Sequence, residues 1–250
     1  MKKPYFGRLL TAMVTPFNAD GSINYEAGAD FADWLLANGS DGLVVEGSTG
    51  EAATMDMDEK VKFMQTIVAR VNGRAKIVAG AGTNCTASTI DLVKKMEACG
   101  VDGVLVVGPY YNKPTQEGIY RHFSTIADTC DIPIVLYNVP GRTGVGIAAE
   151  TVARLVKNRN VLGVKEAAGS VERVSEILSL CDTSIMCGDD SLTVPMMLLG
   201  AKGVISVASN IIPAELKKMT DACASGDFMT AVAMHRKYWR LFKDLFVESN

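Results

Sequence analysis

The chain has 250 residues, of which 48% are apolar and 21% charged, with a formal net charge of −3. That length suits a single α/β barrel and the composition supplies a sizeable core, which excludes a disordered chain. A slightly acidic balance without blocks of like charge argues against nucleic acid or an anionic membrane as the main partner.

Met1-Lys2-Lys3 is basic, but the apolar run Leu9 to Val14 is too short for a signal peptide and gives way to Pro16, Asn18 and Asp20. No stretch approaches bilayer-spanning length, so a cytoplasmic protein is expected. Short β-branched runs at 8–14, 42–45, 76–79, 103–107, 133–137, 161–165, 184–187 and 203–207 read as strands. Their near-continuous apolar character is that of parallel strands buried on both faces. Between them, 57–72 has helical spacing, with Asp56 and Glu59 set for a capping box and Gly73 as a stop. Segment 87–99 follows Thr86 and ends at Gly100, and segment 116–130 follows Thr115.

Asn38-Gly39-Ser40-Asp41-Gly42 resembles Cys99-Gly100-Val101-Asp102-Gly103, and Leu199-Gly200-Ala201-Lys202-Gly203 is a looser third copy. One αβ junction is reused. Eight strands each followed by a helix predict an α/β fold, a (β/α)8 TIM barrel over 1–226. The amphipathic segment 227–246 would open a C-terminal helical extension over 227–250. A doubly wound open sheet is the alternative. Its fingerprint is incomplete, because Gly80-Ala81-Gly82 is followed by Cys85 where a third glycine belongs.

Six cysteines lack any C-x-x-C spacing and read as reduced, mostly buried small hydrophobes. With only His122 and His235 as imidazoles, in no ligand spacing, no metal site is expected. Glu46, Glu51, Asp189 and Asp190 could suggest metal carboxylates, but loop solvation or capping is the favoured reading.

In such a barrel the site lies at the carboxyl ends of the strands. Lys165 closes the apolar run Val161-Leu162-Gly163-Val164. Lysine is almost wholly protonated at pH 7, and an apolar barrel mouth disfavours the ammonium form. A neutral amine there can attack a ketone and hold it as an iminium, an electron sink for carbon–carbon chemistry. A rim lysine paired with Glu166 or Asp189 is the ordinary alternative. Tyr137, at the end of the adjacent strand, could shuttle protons, with Thr49 and Tyr111 supplying hydroxyls to relay them. The glycines of Gly47-Ser48-Thr49-Gly50 would let backbone N–H groups approach a carboxylate. Arg142 could clamp a second one. Taken singly, each tyrosine is an ordinary rim aromatic and Arg142 an ordinary loop arginine.

Together, Gly47-Ser48-Thr49-Gly50-Glu51, Pro109-Tyr110-Tyr111-Asn112, Tyr137-Asn138-Val139-Pro140, Gly163-Val164-Lys165-Glu166-Ala167 and Gly188-Asp189-Asp190 resemble the dihydrodipicolinate synthase / N-acetylneuraminate lyase family of Schiff-base aldolases. The resemblance runs from about residue 7 to the C-terminus. It implies pyruvate bound covalently on Lys165 without another cofactor, Tyr137 as acid/base in a relay with Thr49 and Tyr111, and Tyr111 donated by a neighbouring copy of a homo-oligomer. Ser48 and Thr49 would hold the pyruvate carboxylate, and the Ile205 carbonyl would line the site. Pro140-Gly141-Arg142-Thr143-Gly144 is similar to the synthase branch, in which the arginine receives the carboxylate of aspartate semialdehyde. The loop Gly47-Ser48-Thr49-Gly50-Glu51 also suits the sialate lyases. Cleavage of a 2-keto-3-deoxy sugar acid therefore stays open, as does a barrel that only binds a keto acid. The resemblance further implies helices beyond Asn250. Lysine-inhibited members carry a histidine pair near Met57 and Lys60 and an acid near Ser88, so feedback by lysine should be weak.

Overall fold

Eight parallel strands pair in sequence order, and the last returns to the first: β1 (Leu9–Ala12), β2 (Gly42–Val45), β3 (Lys76–Gly80), β4 (Gly103–Val107), β5 (Ile134–Asn138), β6 (Val161–Glu166), β7 (Ser184–Cys187) and β8 (Gly203–Ser206). The computed structural model describes residues 4–248, so the basic Met1-Lys2-Lys3 and the final Ser249-Asn250 lie outside the described residues. The closed barrel is the one expected from the sequence, and the open sheet is excluded. Every strand overlaps its predicted run. β1 and β8 are trimmed, while β5 and β6 each run one residue further towards the carboxyl end, which brings Asn138 and Glu166 onto the ladder.

Ten helices surround the strands among the described residues: α1 (Tyr25–Ala37), α2 (Met57–Val71), α3 (Thr86–Ala98), α4 (Gln116–Thr129), α5 (Pro140–Thr143), α6 (Ala149–Leu155), α7 (Glu172–Leu180), α8 (Thr193–Leu198), α9 (Pro213–Ser225) and α10 (Phe228–Asp244). The capping box of α2 is present: Glu59 N–H donates to Asp56 Oδ1 at 2.8 Å, and Asp56 N–H donates to Glu59 Oε2 at 2.9 Å. Thr115 caps α4 by accepting from Gly118 N–H. α3 begins one residue earlier than the sequence implies. Thr86 is inside the helix and Cys85 holds the cap position, because the Thr86 hydroxyl is engaged by His122 Nδ1 at 2.9 Å. α9 ends at Gly226 in the left-handed conformation, and α10 then packs on α9 and α8 through the buried Ala231 and Phe242.

Two apolar shells follow from strand alternation. One fills the space between strands and helices, with Leu9, Leu43, Phe63, Val104 and Ile185 among its members. The other fills the barrel interior with Phe6, Leu10, Val44, Val78, Leu105, Met186 and neighbours. The cysteines are less uniformly buried than expected: Cys130, Cys187 and Cys223 are buried, Cys99 and Cys181 half-buried, and Cys85 exposed.

The repeated junction has a physical reason. In all three copies the fourth residue donates its N–H to the preceding strand: Asp41 to Leu9 O, Asp102 to Ile77 O and Lys202 to Ile185 O. In the two closer copies its carboxylate also accepts backbone N–H groups, from Arg8 at 2.8 Å and Leu9 at 3.1 Å for Asp41, and from Ile77 at 2.9 Å for Asp102. Lysine cannot do this, so the third copy keeps only the main-chain bond. Asp41→Ala strips the acceptor from two strand N–H groups and is expected to cost about 2–3 kcal/mol. Urea unfolding checks this, and a loss below about 0.5 kcal/mol would show that the carboxylate is not the clamp.

Candidate active site

At the carboxyl ends of the strands the loops surround a cavity of about 470 Å³, lined by Glu46, Ser48, Tyr110, Tyr111, Tyr137 and Arg142 among others. β5 and β6 pair so that Tyr137 lies opposite Lys165, and Asn138 opposite Glu166. Alternation places the first pair inside the barrel and the second towards the helices. Lys165 is 5% exposed, and its Nζ stands 4.3 Å from the centroid of the Tyr137 ring.

The outward pair forms a buried polar network. Asn138 Nδ2 donates to both Glu166 carboxylate oxygens at 2.9 Å, and Asn138 Oδ1 accepts from Ile147 N–H at 2.9 Å. Glu166 also accepts from Ala168 N–H at 2.9 Å and from Arg173 Nε at 3.3 Å. Burial pushes the Glu166 carboxyl up, and the Asn138 and Arg173 contacts oppose that shift. Glu166 is therefore committed away from Lys165 and is not the partner that a simple rim ion pair would require. Sequence reading missed this support. Its signal was the rung after Tyr137 and Lys165 carrying an amide opposite an acid.

The end of β7 lies beside Lys165. A Cβ on Gly188 would sit 2.6 Å from Ala167 Cβ and 3.2 Å from both Glu166 O and Lys165 Cε, so Ala167 leaves no space for a side chain there and the end of β6, with the lysine stem, would have to shift. Burial pushes the Asp189 carboxyl up, and Lys165 and Lys243 oppose it. Asp190 is buried and ties β7 to β8, accepting from Ser206 Oγ at 2.5 Å and from Val207 and Ala208 N–H at 2.9 Å.

After β2, Gly50 N–H donates to Gly47 O at 3.1 Å and Thr15 Oγ1 donates to Gly50 O at 2.6 Å, folding Gly47-Ser48-Thr49-Gly50 against the end of β1. Ser48 is exposed and Thr49 half-buried. Tyr111 has a φ of +68° and is 88% exposed, and Lys113 two residues on has a φ of +46°. Asn112 Nδ2 anchors this loop by donating to Asn84 O at 2.8 Å. Arg142 lies exposed on α5, just before the left-handed Gly144.

The structure brings Lys165 and Tyr137 together and arranges Ser48, Tyr111 and Arg142 around one cavity. Among the described residues no hydrogen bond joins the hydroxyls of Tyr137, Thr49 and Tyr111. The Ile205 side chain lies among the barrel-filling residues, in line with Leu10 on β1. Two of the four loop acids depart from the solvated reading: Glu46 is 1% exposed and Asp190 2%. Burial pushes the Glu46 carboxyl up to about 8, against the pull of Lys60. No three His, Cys, Asp or Glu side chains among the described residues group as metal ligands. No described helix is long and apolar enough to cross a membrane.

The chain is similar to known proteins over nearly its whole length. The chain is 49% identical to the 4-hydroxy-tetrahydrodipicolinate synthase of Heliobacterium modesticaldum, over 98% of this chain and 82% of that one. It is 48% identical to the enzyme of that name from Desulforamulus reducens, over 98% and 84%. It superposes on the crystal structure of dihydrodipicolinate synthase from Aquifex aeolicus with a TM-score of 0.95 at 43% identity, covering 97% of this chain and 84% of the other. The model of the dihydrodipicolinate synthetase family matches residues 5–250, and the chain belongs to that family.

Proposed function

We propose that this chain condenses pyruvate with L-aspartate-4-semialdehyde to give 4-hydroxy-tetrahydrodipicolinate, a lyase-class step towards diaminopimelate and lysine, in the cytoplasm. The observation that carries the reading is Lys165, buried at the barrel mouth with its amine over the Tyr137 ring. The Lys165 amine adds to the keto carbon of pyruvate, and loss of water leaves an iminium on Nζ. Loss of a methyl proton then gives an enamine, whose carbon attacks the aldehyde and makes the carbon–carbon bond. Because the product is a ring, the amine of the second substrate must close on the former keto carbon and release Lys165. The iminium is the electron sink throughout, so the chemistry requires no metal or further cofactor.

Tyr137 is the acid/base in this reading, with Thr49 and Tyr111 as relay. As no hydrogen bond joins the three hydroxyls within the chain, substrate or a neighbouring copy completes the relay. An 88% exposed Tyr111 held in a left-handed turn supports donation into the site of a second copy in a homo-oligomer. Ser48 and Thr49 hold the pyruvate carboxylate, the Ile205 carbonyl lines the floor, and Arg142 receives the carboxylate of the aldehyde. A guanidinium in that place favours an acidic aldehyde over a sugar acid, whose hydroxyls would call for amide and hydroxyl donors. A barrel that only binds a keto acid would not need Lys165 and Tyr137 paired on one rung.

Borohydride reduction in the presence of pyruvate should leave one reduced pyruvate on Lys165, read by intact mass and peptide mapping. No adduct on folded protein would refute the Schiff base. Arg142→Ala should raise the KM for the aldehyde tenfold or more while pyruvate trapping persists, because a charge-assisted bidentate contact contributes about 1.5–3 kcal/mol. Unchanged kinetics would remove Arg142 from the aldehyde site. Gly188→Ala should cut trapping at least tenfold by displacing Ala167 and with it the lysine at the end of β6, with the folded state retained by circular dichroism; full trapping would show that this strand end has slack. Inhibition by lysine should be weak or absent, and strong inhibition at physiological lysine would contradict this.

A further inference from the structure

Glu46 follows β2 and directly precedes Gly47-Ser48-Thr49-Gly50. It is 1% exposed, and neither carboxyl oxygen has a hydrogen-bond partner. Its φ of +59° places a non-glycine residue in the left-handed region. The main chain on both sides is closely held. A Cβ on Gly80 would fall 1.9 Å from Glu46 O, and one on Gly50 would fall 3.4 Å from Glu46 N and 2.9 Å from Met13 O. The main chain that carries the carboxyl is therefore fixed on both sides.

Around it, α2 contributes Lys60, and Cys99 beyond the end of α3 contributes a thiol; these are the titratable groups that interact with the carboxyl. Neither donates a hydrogen bond to it. Gly80-Ala81-Gly82, at the facing end of β3, brings no charge. An ionised carboxylate in such a place would have to turn towards Lys60 or solvent. In either case the new negative charge would lie beside a loop that binds an anion.

We propose that Glu46 is a positioning residue that works as the neutral acid: while protonated it supports the Ser48-Thr49 loop for the keto acid's carboxylate, and its ionisation sets a negative charge against that carboxylate and weakens the loop's hold on it. This rests on the reading of the loop as the pyruvate carboxylate site.

The test is the KM for pyruvate from pH 6.5 to 9.5 in the wild type, Glu46→Gln and Lys60→Met. Glutamine keeps the shape and cannot ionise. The ratio of wild-type to Glu46→Gln KM should be near one at pH 6.5 and about tenfold at pH 9. With the carboxyl titrating at about 8, only about one molecule in eleven is then competent. Lys60→Met should move the wild-type break to higher pH, because Lys60 favours the charged form. A ratio flat with pH, a Glu46→Gln enzyme impaired already at pH 6.5, or a break indifferent to Lys60→Met would each overturn the proposal. If melting curves show Glu46→Gln unfolded, Glu46→Met, also neutral and of similar size, carries the same comparison. Wild-type trapping of pyruvate on Lys165 at pH 7 separates the two readings. Without an adduct the Schiff-base assignment fails; with an adduct and matching pH profiles only the role of Glu46 fails.

Discussion

β5 and β6 meet on two consecutive rungs of opposite chemistry. Tyr137 and Lys165 share the rung that faces the barrel interior, and Asn138 and Glu166 share the next, which faces the helices. A slip of one residue between these strands would send Lys165 outward and bring a carboxylate into the mouth. The hydrogen bonds of the outer rung oppose that slip. Glu166 is buried with Asn138, Ala168 N–H and Arg173 as its donors, and moving it would strand a charge without them. The placement of the reactive amine thus rests on a polar network that never touches it.

The loops around the mouth are held by a second constraint, backbone strain. Five non-glycine residues among those described have a positive φ, and four of them, Glu46, Glu51, Tyr111 and Lys113, lie in the loops after β2 and β4. Such conformations cost on the order of 1 kcal/mol each and persist only where neighbours fix them. Here Thr15 holds the first loop through Gly50 O, and Asn112 holds the second through Asn84 O. Turning Tyr111 outward and Glu46 inward reverses what their polarity alone would suggest. That inversion separates a binding mouth from an ordinary rim.

The barrel was legible because its strands are buried on both faces and read as apolar runs between helix stops. Lys165 and Tyr137 were legible for the same reason: each is a polar residue at the end of such a run, where a fixed two-residue alternation gives its direction. The repeat around Asp41 and Asp102 was visible as sequence, but its use as a carboxylate clamp required the neighbouring strand. At Glu46 and Tyr111 the alternation breaks, because a left-handed residue redirects its side chain, and no periodicity reports that turn. Cys85 displaced Thr86 as the cap of α3 because a threonine hydroxyl found a buried histidine 36 positions away in the chain. Long-range contacts of this kind leave no local mark.

The two ends of the barrel carry opposite burdens. At the amino-terminal end, the Asp41 and Asp102 carboxylates accept strand N–H groups and Phe6 packs into the interior, so those strand starts are tied and the apolar interior is covered. At the carboxyl end, Glu46 lacks partners, Tyr111 is exposed, and Lys165 is confined between Tyr137 and Gly188. An amine that must attack a ketone cannot also be locked in an ion pair. The carboxyl end thus keeps the buried Glu46 carboxyl and the confined Lys165 amine, while the hydrogen-bonded strand starts at the other end supply stability that lets them persist.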